Sequence, residues 1–211
     1  MTCWGYSTTC SEGGQALKAV GIDLAASIHR PTGVAIVDHL LRCTVSTEYS
    51  DDDIIGFVTS SLPDVVVIDA PLSVPSGRSN IDDKAGPHFR ECDLELRRLK
   101  IKFFPVTLGP MRQLTKRGIS LKLRLHGLGF DVIESFPGGI QDVLGIPRHK
   151  DMAGLLKGLI KNGLNGCTNI NNEHELDAAT MGYLGQLYLE RKAVALGDPD
   201  EGLLYLPKIP G

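Results

Sequence analysis

The sequence lacks the patterns that would place the chain in a membrane, in an oxidising compartment or around a zinc ion. No apolar run reaches the roughly 20 residues that span a bilayer, and no basic start followed by an apolar stretch indicates a secretory signal. The five cysteines form no Cys-x-x-Cys pair, which argues against a zinc site or a disulfide framework. We therefore expect a cytoplasmic protein with no membrane partner.

Phosphate-binding and base-stacking signatures are also missing. Neither a P-loop nor a Gly-x-Gly-x-x-Gly motif occurs, so the usual nucleotide-binding folds are not indicated. Aromatic residues make up 6% of the chain, and Phe103-Phe104 is the one aromatic pair within its basic region. We assign this pair to the hydrophobic core, which leaves little signal for base stacking.

The length and composition indicate one globular domain. The chain has 211 residues, of which 42% are hydrophobic and 22% charged, and this is ordinary for a protein with a substantial core. We expect a flexible extension rich in Gly, Ser and Thr over residues 1–17 and a domain over residues 18–211. No internal repeat occurs.

Charge is distributed unevenly along the chain. Residues 90–126 contain ten Lys and Arg residues against three acids, a net charge of +7, whereas the whole chain carries −3. A polyanion-binding surface and a solvated pair of helices both fit this pattern. As nucleic-acid-binding candidates we take Arg90, Arg97, Arg98, Lys116 and Arg117.

Hydrophobic periodicity and turn residues predict a mixed α/β domain. Three short strands at 20–24, 33–37 and 42–47 indicate an antiparallel meander. A continuous β-branched run at 64–69 predicts an interior strand beside a parallel neighbour. A long loop over 74–88 follows. The remaining predicted elements are helices at 50–62 (with Ser50 as N-cap), 89–99, 114–128 and 173–196, strands at 130–134 and 203–206, and mixed helix and turn at 142–162.

Acidic side chains end three of the predicted strands, and another follows on a late helix. Asp23, Asp69 and Glu134 each terminate an apolar run, and Asp177 lies on the predicted helix over 173–196. Clustered carboxylates repel each other unless cations bind between them, and Mg²⁺ or Mn²⁺ prefers oxygen ligands. We therefore predict these four acids as catalytic and metal-binding residues for one or two ions. His174 is a further candidate ligand, with Glu173 in reserve.

Each acid also has a simpler structural explanation. Asp23 is suited to capping the following turn, Asp69 to an Asx turn before Ala-Pro, and Glu134 to fixing a Gly-rich turn. Asp177 and His174 are ordinary residues for an exposed helix surface. The four acids together are more specific than any one of them.

Five motifs in order resemble the DUF429 family of predicted nucleases, which is assigned to the ribonuclease H-like fold. The resemblance covers residues 18–207. The matching motifs are Val20-Gly21-Ile22-Asp23, Ile68-Asp69-Ala70-Pro71-Leu72-Ser73, Arg90-Glu91-Cys92-Asp93, Val132-Ile133-Glu134-Ser135-Phe136-Pro137-Gly138-Gly139 and Leu176-Asp177-Ala178-Ala179. His174-Glu175-Leu176-Asp177 is also similar to a helix motif of RuvC-type resolvases.

The resemblance implies a mixed central sheet with three antiparallel N-terminal strands, flanked by helices. It implies acids at the ends of strands and on the last core helix, where Asp23, Asp69, Glu134 and Asp177 fall. Arg90, Asp93, Arg97 and the loop over 73–79 also match the family pattern, without a physical role for each.

The expected function is metal-dependent hydrolysis of nucleic acid, with DNA, RNA or a branched junction as substrate. One alternative is a phosphotransferase related to actin and sugar kinases, because Gly21-Ile22-Asp23 resembles their first phosphate motif; a single such core argues against it. The other alternative is a non-catalytic module that binds nucleic acid or protein.

Overall fold

The computed structural model describes residues 16–167 and 169–208. The flexible extension predicted for residues 1–17 lies outside this part of the chain except for its last two residues. The described strands are β1 (Lys18–Asp23), β2 (Thr32–Asp38), β3 (Cys43–Glu48), β4 (Val65–Asp69), β5 (Val132–Ser135), β6 (Ala193–Asp198) and β7 (Gly202–Pro207). The helices are α1 (Asp51–Ser61), α2 (Glu91–Arg98), α3 (Gly109–Gly127), α4 (Pro137–Leu144), α5 (Met152–Lys161) and α6 (Glu173–Leu189), with a short 3₁₀ helix at His149–Asp151.

The strands form one mixed sheet in the order β3-β2-β1-β4-β5-β7-β6. The first three strands pair antiparallel, as the sequence predicts. Strands β1, β4, β5 and β7 run parallel to their neighbours in turn, and β6 closes the sheet antiparallel to β7. The protein is therefore a mixed α/β structure with helices on a seven-stranded sheet.

Helices cover both faces of this sheet because its central strands are apolar on both sides. On β4, Val66 and Ile68 pack with residues of α1 and α3, whereas Val65 and Val67 pack with residues of α2, α4 and α6. The continuous apolar run thus occupies an interior position between two parallel neighbours, as predicted.

Two helix boundaries differ from the sequence prediction. Helix α3 begins at Gly109, not at residue 114, because Pro110 occupies its first turn, where no backbone N–H is needed. Helix α6 ends at Leu189, and Arg191 has a positive φ of 59°. Its predicted extension to residue 196 is wrong: β6 occupies that sequence and pairs with β7. Within the described residues, none of the helices is long and apolar enough to cross a bilayer.

Glycines allow α6 to lie directly on the sheet. A Cβ atom at Gly21 would collide with the backbone of Ala178 and Gly182, and one at Gly33 would collide with the backbone of His174. This close approach brings the N-terminal half of α6 against the end of β1.

Candidate active site

The ends of two neighbouring parallel strands bring two carboxylates together. Asp23 is the last residue of β1 and Asp69 the last of β4, and the register pairs Ile22 with Ile68. Asp23 and Asp69 therefore lie on adjacent strands at the same edge of the sheet.

Helix α6 contributes the third carboxylate. Burial, followed by the charge of Asp23, raises the pKa of Asp177 to about 6. Burial and the charges of Asp23 and Asp177 raise the pKa of Asp69 well above its ordinary value. The three acids therefore act on one another electrostatically, and burial together with the neighbouring carboxylates disfavours the ionised form of Asp69.

Two histidines form hydrogen bonds with Asp23 and Asp177. His174 Nδ1 lies 2.8 Å from Asp23 Oδ2, and this hydrogen bond raises the pKa of His174. His149 Nδ1 lies 2.9 Å from Asp177 Oδ2. His174 thus lies beside the predicted acids as expected, whereas His149, from a segment predicted only as mixed helix and turn, was not a candidate.

A buried glutamine completes the contacts of Asp177. Gln141 in α4 is 1% exposed, and its Nε2 donates to Asp177 Oδ1 at 2.8 Å. Its Oε1 is the one buried side-chain oxygen or nitrogen without a partner among the described residues. An unpaired buried acceptor is costly, so a donor or a cation at this position would stabilise the site. No sequence motif marks Gln141.

Glu134 lies nearby but is committed to a buried arginine. Arg90 Nη1 and Nη2 donate to its two carboxylate oxygens at 2.7 and 2.6 Å, and the backbone N–H of Leu72 donates to one of them at 2.7 Å. Burial would lower the pKa of Arg90, but Glu134 and Asp93 raise it well above its ordinary value. Glu134 therefore acts as a structural anchor in this arrangement, and the pair lies beside the other three acids.

The basic candidates have different environments. Arg90 is 2% exposed, and Arg117 is buried against Asp51 and two backbone oxygens. Neither guanidinium is available to a polyanion at the surface. Arg98 and Lys116 are exposed and form surface ion pairs.

Arg97 differs from these four residues because it is exposed and also lies on the wall of a cavity. Its guanidinium carbon lies 5.1 Å from the centroid of the Phe89 ring, an arrangement favourable for a cation–π contact. The basic candidates are thus two buried structural arginines and three exposed cations. Of the exposed ones, Arg97 lines the cavity that also contains Asp69 and Asp177.

A cavity of about 840 Å³ opens beside the carboxylates. Asp69, Asp177 and His149 lie on its wall, and the remainder is largely apolar, with aromatic rings from three segments. These rings belong to Phe89, Phe103, Phe104 and Phe136. The volume falls in the range of about 300–1,000 Å³ usual for ligand sites.

The carboxylates fit a hard divalent cation in their chemistry, but they are not preformed around one. Asp23, Asp69 and Asp177 supply oxygen donors from three elements, as Mg²⁺ or Mn²⁺ requires. Among residues 16–167 and 169–208, however, no group of three or more His, Cys, Asp or Glu side chains has the arrangement of a metal site.

Comparison with known proteins adds no relative. No protein-family model matches the chain, and no curated protein matches its sequence. What the fold and the site define is a mixed α/β protein with three interacting carboxylates, two of which lie on the wall of a largely apolar cavity.

Proposed function

We propose that the protein is a metal-dependent nuclease of the ribonuclease H-like fold, related to the DUF429 family that its motifs resemble. The observation that carries the proposal is the convergence of Asp23, Asp69 and Asp177 from β1, β4 and α6. Three acids from separate elements at one point are costly in an apolar structure, and a divalent cation between them would offset the repulsion.

The arrangement of the sheet supports the fold assignment. The first three strands are antiparallel, and acids end β1 and β4 and project from the last described core helix, α6. These are the places that the resemblance implies for catalytic acids. Glu134, which the resemblance also implies, contributes by holding Arg90 and the backbone of Leu72 beside the site.

The carboxylates of Asp23, Asp69 and Asp177 would hold one or two Mg²⁺ or Mn²⁺ ions. Such ions supply activation of water and stabilisation of the leaving oxygen in phosphodiester hydrolysis. Gln141 holds the Asp177 carboxylate in place through its amide N–H. His149, on the cavity wall beside Asp177, provides an imidazole that can donate or accept a proton next to the reacting phosphate.

A cleavage assay tests the proposal. Purified wild-type protein should cut DNA or RNA in Mn²⁺ or Mg²⁺ and not in EDTA, and Asp23→Asn should lower the rate at least about a hundredfold because a carboxylate is removed from the reacting centre. The matched control is Asp52→Asn, since Asp52 is an exposed acid paired with Arg124 on the surface.

The alternatives make different predictions in the same experiments. A phosphotransferase would be stabilised by ATP and would not cut nucleic acid. A non-catalytic module would bind nucleic acid equally well before and after Asp23→Asn and would cut neither DNA nor RNA. Equal cleavage by wild type and Asp23→Asn would contradict the proposed site.

A further inference from the structure

We infer that the apolar cavity binds an unpaired base of single-stranded nucleic acid while its phosphodiester faces the carboxylates. This inference rests on the proposed nuclease function and names the strand form that the site would accept. The juxtaposition that carries it is a cavity whose wall holds both aromatic side chains and Asp69, Asp177 and His149.

The shape of the site is unsuited to a paired duplex. In a duplex the bases are stacked and paired inside the helix, so an enzyme reaches a base within a cavity only after unstacking it. In a single strand the bases are already free to turn outwards. A cavity of about 840 Å³ whose wall is mainly apolar therefore favours an unpaired nucleotide over a continuous helical surface.

The aromatic side chains provide flat surfaces for a base. Phe104 is 68% exposed although it lines the cavity, so its ring is not part of the core to which the sequence assigned the pair Phe103-Phe104. Phe103 packs edge-to-face on Phe89, with ring centroids 6.1 Å apart. Aromatic side chains of this kind stack on bases with little sequence preference.

The charges along the cavity suit a strand better than an uncharged ligand. Arg97, Lys102 and Arg148 line it, and Arg148 shares its charge with Asp142 in a surface ion pair. Cations beside aromatic rings provide contacts to the phosphates on either side of a stacked base. Asp69 and Asp177 lie on the same wall, and a phosphodiester beside them would require a bound divalent cation.

The test compares binding of strands that have or lack bases. Fluorescence anisotropy would measure the Kd of a labelled six-residue thymidine strand, of the same strand without its bases, and of a duplex of equal length. Measurements in EDTA and in Ca²⁺ make the result independent of cleavage. Wild type should bind the thymidine strand at least about tenfold more tightly than the other two, the size expected for base stacking.

Phe104→Ala should weaken binding of the thymidine strand about tenfold and leave binding of the base-free strand unchanged. Because Phe104 is exposed, this variant should fold normally, which thermal unfolding would check. Tyr49→Ala is the matched control: it removes an aromatic ring that is 50% exposed and lies outside the cavity wall, and it should change neither Kd.

Three results would overturn the inference: no binding of the thymidine strand in either buffer, equal binding of all three ligands, or equal weakening of both strands by Phe104→Ala. Displacement of the strand by an equal concentration of free thymidine monophosphate would reassign the cavity to free nucleotides and also overturn it. The proposed nuclease function fails on a separate result, namely cleavage that does not depend on Asp23.

Discussion

At the scale of single residues, the site contrasts two ways of keeping a carboxylate inside a protein. Glu134 is 5% exposed and is neutralised by Arg90 at 2.6–2.7 Å. Asp69 instead lies among other carboxylates, and burial and their charges raise its pKa well above the ordinary value. A buried acid is retained at a cost unless something compensates it. Under the proposed function, a divalent cation would provide that compensation at Asp69.

The raised pKa values predict how stability depends on pH. A carboxyl group whose pKa is raised by folding binds its proton more tightly in the folded state. For Asp177 the free energy of unfolding should therefore fall as the pH rises from 3.8 through about 6. The raised pKa of His174 should likewise lower the free energy of unfolding as the pH rises above 6.5. Urea unfolding in EDTA between about pH 4.5 and pH 7.5 measures this slope.

The matched variant for this prediction is Asp69→Asn, which removes one of the coupled groups. Its slope of stability against pH should be shallower than that of wild type, because an amide cannot ionise. Stability that rises with pH over the same interval in wild type would contradict the assignment of Asp69 and Asp177 as crowded acids.

The sequence located the strand ends that carry Asp23 and Asp69, but it did not indicate the residues that contact Asp177. Asp23 and Asp69 end apolar runs, and a strand end is recognisable from sequence. His149 and Gln141 contact Asp177 only because of how the 3₁₀ helix and α4 pack against α6. Nothing in their local sequence encodes that packing. The environments of Arg90 and Phe104 also differ from the expectation. Arg90, a candidate for binding nucleic acid, is buried, and Phe104, which we assigned to the core, is exposed.

At the scale of elements, the contact between α6 and β1 sets the distance between the carboxylates. Gly21 has no side chain where the backbone of α6 crosses it. Gly21→Ala should therefore push α6 away from β1 and lower the free energy of unfolding by at least about 1–3 kcal/mol, the usual cost of overpacking. Denaturant unfolding measures this loss.

Gly56→Ala is the control for this substitution. Gly56 lies in α1 with nothing within 4 Å of an added Cβ, so alanine should stabilise the helix by about 0.5–1 kcal/mol. Equal effects of the two substitutions would show that the close approach of α6 does not matter.

The pair Arg90–Glu134 connects α2 to β5. Glu134→Gln removes the carboxylate that pairs with both terminal nitrogens of the buried Arg90 guanidinium and leaves Asp93 as its ionic partner. Breaking a buried pair costs at most about 3–5 kcal/mol. Arg98→Gln breaks the exposed pair with Glu91, which should cost less than about 1 kcal/mol. The two variants, compared by urea unfolding, should differ clearly. Similar losses would contradict a structural role for Glu134.

Element boundaries were less predictable than element types. The helix predicted over 173–196 is confirmed as a helix from Glu173, but its end depends on pairing of Ala193–Asp198 with β7. The apolar residues of that segment fit a helix and a strand equally well, and tertiary pairing decides between them. The predicted start of α3 at residue 114 is too late because Pro110 is well suited to a first helical turn.

At the scale of the whole molecule, one edge of the sheet and one cavity account for the proposed chemistry. Strands β1 and β4 end side by side, α6 crosses above them, and the cavity begins at Asp69 and Asp177. The order of parallel strands in the sheet creates this edge. The fold therefore places Asp69 and Asp177 on the wall of a largely apolar cavity.

The central claim is that Asp23, Asp69 and Asp177 together bind a divalent cation. Thermal unfolding of wild type, Asp69→Asn and Asp52→Asn, each in EDTA and in millimolar Mn²⁺, tests it most directly, because a ligand that binds the folded state raises Tm by mass action. We predict that Mn²⁺ raises Tm for wild type and for the surface variant. Asp69→Asn should have the higher Tm in EDTA and no response to Mn²⁺. The same Tm for wild type in both buffers, or an equal Mn²⁺ response in Asp69→Asn, would contradict the account.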